Sequence, residues 1–273
     1  MRLLTTLALS LALAIPTRVV AQVSDSLKAS QEPLFTAEDA LFAGGVIFAT
    51  LAVAPIDKSL ADYLQGAPQT NRFFRRVSRI VENIAQPGAY LIGGALYGVG
   101  KLGGNERMAD LGLHGTEAII AGLLVTNIIK ISAGRQRPYV DRDKPHDFGF
   151  MRGWNREQYR SFPSGHSLIG FAAAAAVTDE TRRWWPKSVW YIGPLMYGGA
   201  GLIALSRMYD NKHWASDVMI GGLIGTFAGL KVVKYHHTHP DNRIDRWLLG
   251  VTVAPEGPSG WAARPIVMRT RSQ

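Results

Sequence analysis

The chain has no cysteine among its 273 residues, which excludes a disulfide framework and any thiolate-ligated metal. Charged residues make up only 19%, and no stretch alternates apolar and polar residues for long enough to read as a half-buried strand. Internal repeats and low-complexity linkers are absent as well, leaving one or two ordinary domains. With 47% hydrophobic residues, a disordered chain is excluded, because apolar content is too high and charge too dilute. What the sequence has is a basic balance: 30 Lys and Arg against 21 Asp and Glu, a formal net charge of +9. That favours anionic partners, whether phosphates, membrane surfaces or nucleic acid. Charge alone does not choose among them.

The N-terminus reads as a secretory signal over residues 1–21. Arg2 supplies the positive start, Leu3 to Ile15 the apolar run, and Val19 and Ala21 the small-residue positions before cleavage. Removing it takes away Arg2 and Arg18, so the net charge becomes 9 − 2 = +7.

Beyond it, Gly- and Ala-rich apolar segments recur around Leu41 to Ile56, Ala89 to Val99, Ala118 to Ile131, Ser167 to Val177, Val189 to Leu205 and Val218 to Val233. Their lengths suit helices, and pairs such as Gly44-Gly45, Gly93-Gly94 and Gly221-Gly222 allow helices to approach closely. The expectation is an all-α bundle of about six core helices. A short hairpin, with strands within Trp247 to Ala254 and Trp261 to Thr270, is expected at the C-terminus. Counted between charged residues, several segments fall short of the roughly 20 residues that span a bilayer, and the mean hydropathy of +0.02 is low for a six-span protein. A surface-bound exported domain is therefore expected over an integral one, although Thr181 to Lys187 resembles a positive loop with an aromatic belt. Arg72, Arg75, Arg76 and Arg79 share one face of a helix over Asn71 to Ile84, opposite Phe73, Val77, Ile80 and Ile84, a pattern able to lie on anionic lipid.

Three blocks carry chemistry. Lys130 and Arg137-Pro138 are separated by six intervening residues; Pro163-Ser164-Gly165-His166 follows; Ser206-Arg207 leads to His213 and Asp217. Lys130, Arg137 and Arg207 bring three cations to one site, and arginine's planar fork matches two phosphate oxygens. Ser164 and Gly165 open a helix whose N–H groups face an anion. His213 and Asp217, four apart, are expected on one helix face, the carboxylate fixing the tautomer and leaving the other imidazole nitrogen free to attack phosphorus. His166 protonates the leaving oxygen.

These blocks resemble the type 2 phosphatidic acid phosphatase (PAP2) family, related to class A acid phosphatases and vanadium haloperoxidases. The resemblance runs from Lys130 to Asp217 in motifs and from about Leu41 to Val233 in helix pattern. It implies a metal-independent phosphatase hydrolysing lipid-linked phosphate or pyrophosphate through a phosphohistidine. His213 would be the nucleophile, Asp217 its orienting partner and His166 the acid and base, with Lys130, Arg137, Ser164, Gly165 and Arg207 holding the phosphoryl oxygens. No cofactor or metal is expected, nor nucleic acid. Residues 22–240 would form the domain and 241–273 an extension. The expected partners are a phosphate-bearing substrate and a membrane surface or bilayer, at the cell envelope, exported or membrane-associated. A periplasmic acid phosphatase for small phosphomonoesters and a vanadium-dependent haloperoxidase stay open as alternatives.

Three further features carry expectations. His236, His237 and His239 read as a solvated basic tail, His114 and Glu117 as a packed polar pair, and Asp141 and Asp143 as part of a charged loop. The segment from Tyr139 to Arg160, with Phe148, Phe150, Met151 and Trp154, is expected to face substrate as a lid.

Overall fold

Each of the six apolar segments is a helix, and each helix runs longer than its apolar stretch. A computed structural model describes residues 33–66 and 71–239, with the backbone of 251–255 and 261–265. The leader expected over 1–21 lies outside the described residues. In chain order the helices are α1 (Ala37–Val53), α2 (Asp57–Gln65), α3 (Arg72–Asn83), α4 (Ala89–Leu102), α5 (Glu106–Ala133), α6 (Gly165–Trp184), α7 (Val189–Tyr209) and α8 (Ala215–Thr238). Polar caps set the starts. Thr36 and Asp39 form a reciprocal capping box on α1, and the Asn105 side chain accepts from Met108 N at the head of α5. Gly134 ends α5 in the left-handed region at φ 53°. A Cβ there would lie 2.0 Å from Gly149 O, so only glycine fits this turn.

The all-α expectation holds for the bundle. Val251–Pro255 and Trp261–Pro265 pair antiparallel, with Val253 opposite Ala263. That is the expected C-terminal hairpin; the residues flanking these two strands lie outside the described set.

Helix α6 is the axis. Ala172, Ala174, Ala175 and Ala176 are fully buried, with Ala118 and Ile119 of α5 packed against Leu168, Ile169 and Ala172. Helix α8 lies against α6 along a stripe of Gly221, Gly225 and Gly229. A Cβ on these would meet Ser164 O at 2.3 Å, Leu168 O at 2.3 Å and the Ala175 Cβ at 2.6 Å. Removing the side chains lets the two backbones touch, and this close approach seats the N-termini of α6 and α8 together.

Four helical stretches are long and apolar enough to cross a membrane: Ala37–Gln65, Glu106–Ala133, Val189–Tyr209 and Ala215–Thr238. The short runs counted between charges mislead because Lys130, Arg207 and Asp217 point into the protein, at 7%, 3% and 0% exposure. They interrupt the sequence without interrupting the outer surface. That surface is apolar: Leu41, Phe48 and Leu51 on α1, Leu124 and Ile128 on α5, and Tyr191 and Leu195 on α7 are exposed, more than a soluble monomer leaves bare.

Helix α3 docks by its polar side. Ser78 Oγ donates to Asp210 Oδ2 at 2.7 Å and Glu82 pairs with Arg207, while Phe73 and Ile80 face outward. The polar end of α7 is what α3 meets, so its apolar residues and its arginines are left for the surroundings.

Candidate active site

Four elements converge at one end of the bundle: the last turn of α5, the loop after it, and the N-termini of α6 and α8. Ser164 is the N-cap of α6, its Oγ accepting from Ser167 N at 3.3 Å, as the sequence implies. Gly165 and His166 take the first two helical positions, whose N–H groups have no acceptor within a helix. A Cβ on Gly165 would sit 3.8 Å from Lys130 Cε, which sets the first block beside the second. Ser164 N donates to Asp217 O at 3.0 Å, which ties in the third.

The three expected cations are buried, two held by the loop and the third by α3. Lys130 Nζ donates to Arg160 O at 2.8 Å. Arg137 Nε donates to Glu157 O at 3.0 Å, and its Nη2 pairs with the Glu157 carboxylate. Arg207 Nη1 lies 2.8 Å from Glu82 Oε1. Glu82, on α3, is a residue sequence reasoning missed: it sits about one helix turn beyond Ser78 on the docking side, with nothing in its neighbourhood to mark it. Its carboxylate pairs with one of the three cations that the sequence assigns to an anion.

His213 does not share a helix face with Asp217. It precedes Trp214, the N-cap of α8, and Asp217 is the third helical residue, reaching back to accept from Trp214 N at 2.9 Å. The four-residue spacing still brings the groups together, because a side chain at that position folds over the helix start. His213 Nδ1 lies 3.5 Å from Asp217 Oδ2, an ion-pair distance that catalytic contacts commonly shorten once substrate binds.

Asp217 is fixed by more than the sequence indicates. Ser161 Oγ donates to Oδ2 at 2.5 Å and Arg135 Nη1 donates to Oδ1 at 2.5 Å. Arg135, 2% exposed, also reaches Ser216 Oγ at 2.7 Å, Pro145 O at 2.6 Å and Asp57 Oδ2 at 2.8 Å. Asp57, at the head of α2, accepts from Ser216 N and Ser216 Oγ at 3.0 and 2.6 Å. Trp214 and Phe148 flank the guanidinium at 5.5 and 5.0 Å. The only available signal for Arg135 was its place two residues before Arg137.

Burial, and then the Arg207 guanidinium, push His166 down to about 4. Burial drives His213 to about 3, with Lys130 and Arg137 adding to the effect and Asp217 opposing it. Both imidazoles are thus neutral at pH 7.

The remaining expectations divide. The Asp141 and Asp143 loop is charged and salt-bridged, through Lys144 at 3.0 Å and Lys58 at 2.8 Å. In the Tyr139 to Arg160 segment, Phe150 and Trp154 are 85% and 67% exposed. The solvated histidine tail is a misreading. His236 is buried with Nε2 on Glu117 Oε2 at 2.5 Å, His237 Nε2 lies 3.0 Å from Glu180, and of the three only His239 is exposed. His114 likewise pairs with Glu180 at 2.6 Å rather than with Glu117. Helix α8 extends past its apolar run and carries these residues against α5 and α6, which a run of polar letters does not reveal.

A helix N-terminus, three buried cations and a histidine–aspartate pair thus meet at one end of an all-α bundle, an arrangement suited to an anion. Residues 113–241, just under half of the chain, match the PAP2 superfamily model. It is 25% identical over 150 residues to an undecaprenyl-diphosphatase of Sulfolobus acidocaldarius, covering 52% of this chain and 64% of the relative. It is 28% identical over 186 residues to a lipid A 1-phosphatase of Porphyromonas gingivalis, covering 67% and 36%. The chain thus spans between about a third and two-thirds of these relatives' lengths. A transmembrane PAP2-type phosphatidylglycerolphosphate phosphatase of Bacillus subtilis shares the fold, with a TM-score of 0.51 at 17% identity over 76% of this chain and 99% of that one.

Proposed function

We propose that the chain is a membrane-embedded phosphatase of the cell envelope that hydrolyses lipid-linked phosphate or pyrophosphate. The observation that carries this is a buried cationic anion site at the end of helices whose outer surface is apolar, so that a phosphate headgroup and its lipid tail are accommodated by one molecule. His213 Nε2 attacks phosphorus, the P–O bond to the leaving group breaks, and His166, which takes up a proton when the anionic substrate binds, gives that proton to the leaving oxygen. Water, deprotonated by His166, then releases phosphate from the phosphohistidine. Lys130, Arg137, Arg207 and the N–H groups of Gly165 and His166 hold the phosphoryl oxygens and neutralise the charge that builds in the transition state. Ser164 orders that turn. Cations so placed repel a catalytic metal ion and do its electrostatic work. The names of the two relatives, an undecaprenyl-diphosphatase and a lipid A 1-phosphatase, support the substrate class.

The test is phosphate release from a lipid phosphate in detergent micelles against release from a small aryl phosphate, both in excess EDTA. Higher kcat/KM on the lipid is expected. A preference for the small ester would instead favour a general acid phosphatase.

The pocket's charge also makes anion binding pH-dependent. Sulfate stays a dianion across the range, and its charge offsets the cations that hold His166 near 4. The bound-state pKa is therefore higher than the free one, a proton is taken up with the anion, and affinity falls as pH rises through the bound value. Sulfate should inhibit more tightly at about pH 5 than at about pH 8, and calorimetry should show proton uptake. Affinity that is flat with pH would remove His166 from the anion site.

A further inference from the structure

The end of the bundle opposite the catalytic residues holds a second cluster of chemically capable side chains. Helices α5, α6 and α8 each carry a catalytic-end residue near one terminus and a member of this cluster near the other. From Lys130 to His114 is 16 residues of helix, from Gly165 to Glu180 15, and from Asp217 to His237 20. At 1.5 Å per residue the separation is roughly 25 Å. The cluster therefore serves no step at the phosphoryl site.

Its centre is Glu180, 1% exposed. His114 Nδ1 lies 2.6 Å from Oε1, and His237 Nε2 lies 3.0 Å from both carboxylate oxygens. One ligand atom from each of His114, Glu180 and His237 falls within 4.8 Å of the other two. Trp184 Nε1 donates to Glu180 Oε2 at 3.0 Å, fixing the carboxylate's orientation, and Arg107 lies over the Trp184 ring at 5.1 Å. His114 stacks on His236 at 4.3 Å, and His236 is in turn held by Glu117. The second nitrogen of His114 is buried and has no hydrogen-bond partner among the described residues. Two imidazoles and a carboxylate meeting in a buried space, the carboxylate held by Trp184 and the His114 ring stacked on His236, are the donor set of a zinc-type site.

We propose that His114, Glu180 and His237 bind one divalent transition-metal ion, of the zinc and cobalt class, tying α5, α6 and α8 together at the end remote from catalysis. The ion takes the place of the protons now shared between the carboxylate and the imidazoles. Tetrahedral bonds of about 2.0–2.2 Å set ligand atoms roughly 3.3 Å apart, so the two histidine–glutamate pairs, at 2.6 and 3.0 Å, need open by only a fraction of an ångström. Water completes the coordination at the partly exposed His237 side.

The test uses full-length, tag-free protein in detergent, stripped with EDTA and dialysed, then titrated with zinc alone and with cobalt alone. Wild type is expected to bind one equivalent of either ion, cobalt showing the visible bands of a four-coordinate site, and zinc raising the Tm. His237→Asn keeps a hydrogen-bonding group toward Glu180 while removing the ligand nitrogen; binding is expected to weaken about 100-fold. His239→Ala, which removes the neighbouring exposed histidine, is expected to bind as wild type. Phosphate release is the folding control for each variant, since catalysis at the other end is independent of this ion. No binding by wild type, or equal binding by wild type and His237→Asn, overturns the proposal.

Discussion

His213→Ala is expected to reduce phosphate release from a lipid phosphate to background, a loss of at least about 1,000-fold in kcat. The substitution removes the proposed nucleophile, whereas Lys130, Arg137 and Arg207 are left in place to hold the anion. Sulfate affinity should therefore change far less than turnover. Brief incubation of wild type with radiolabelled substrate, quenched in alkali, is expected to leave label on the protein that acid removes, the lability of a phosphohistidine. The variant should leave none. Turnover by His213→Ala within tenfold of wild type would mean that water attacks phosphorus directly.

The second large effect is expected at Arg135, a residue that touches no substrate. Arg135→Ala leaves Asp57 and Asp217 buried at 1% and 0% exposure without their shared cation. Breaking a buried pair from one side costs about 3–5 kcal/mol, so a fall in Tm on the order of 10 °C is expected in micelles. Turnover should fall too, because Asp217 loses the bond that aims it at His213. Adding Asp57→Asn to Arg135→Ala removes one stranded charge but leaves Asp217 unanchored. The double variant is expected to regain part of the stability and none of the activity. Recovery of both together would reduce Arg135 to a purely structural role; no change in either for the single variant would show the network to be unimportant.

The two substitutions mark how far the letters reach. His213 is legible because its block has fixed spacing, and the chemistry of an imidazole with a carboxylate four residues on needs no knowledge of the rest of the chain. The spacing does not say how the contact is made. The sequence suggests one helix face, but the pair meets across the start of α8, where Asp217 folds back over the cap. Arg135 is illegible because its partners, Asp57 and Asp217, lie 78 and 82 residues away. Glu82 is hidden in the same way, since only the docking of α3 on the end of α7 brings it to Arg207. The histidines after Lys234 show the opposite failure: polar letters in a row look solvated until the helix carrying them is seen to run into a groove.

The membrane reading turns on the same distinction. Counting apolar residues between charges assumes that every charge faces outward, whereas Lys130, Arg207 and Asp217 face the interior and the helices continue past them. By itself the sequence determined the all-α class, the six apolar helices, the cap at Ser164 and the three motif blocks, because caps, helical runs and short motifs depend on neighbours along the chain. The tertiary structure alone decided which charges are buried and paired. It also decided which glycines bring α6 and α8 into backbone contact, and that a histidine–glutamate cluster closes the far end. Each of these depends on residues tens of positions apart meeting in space, and no local pattern encodes such a meeting.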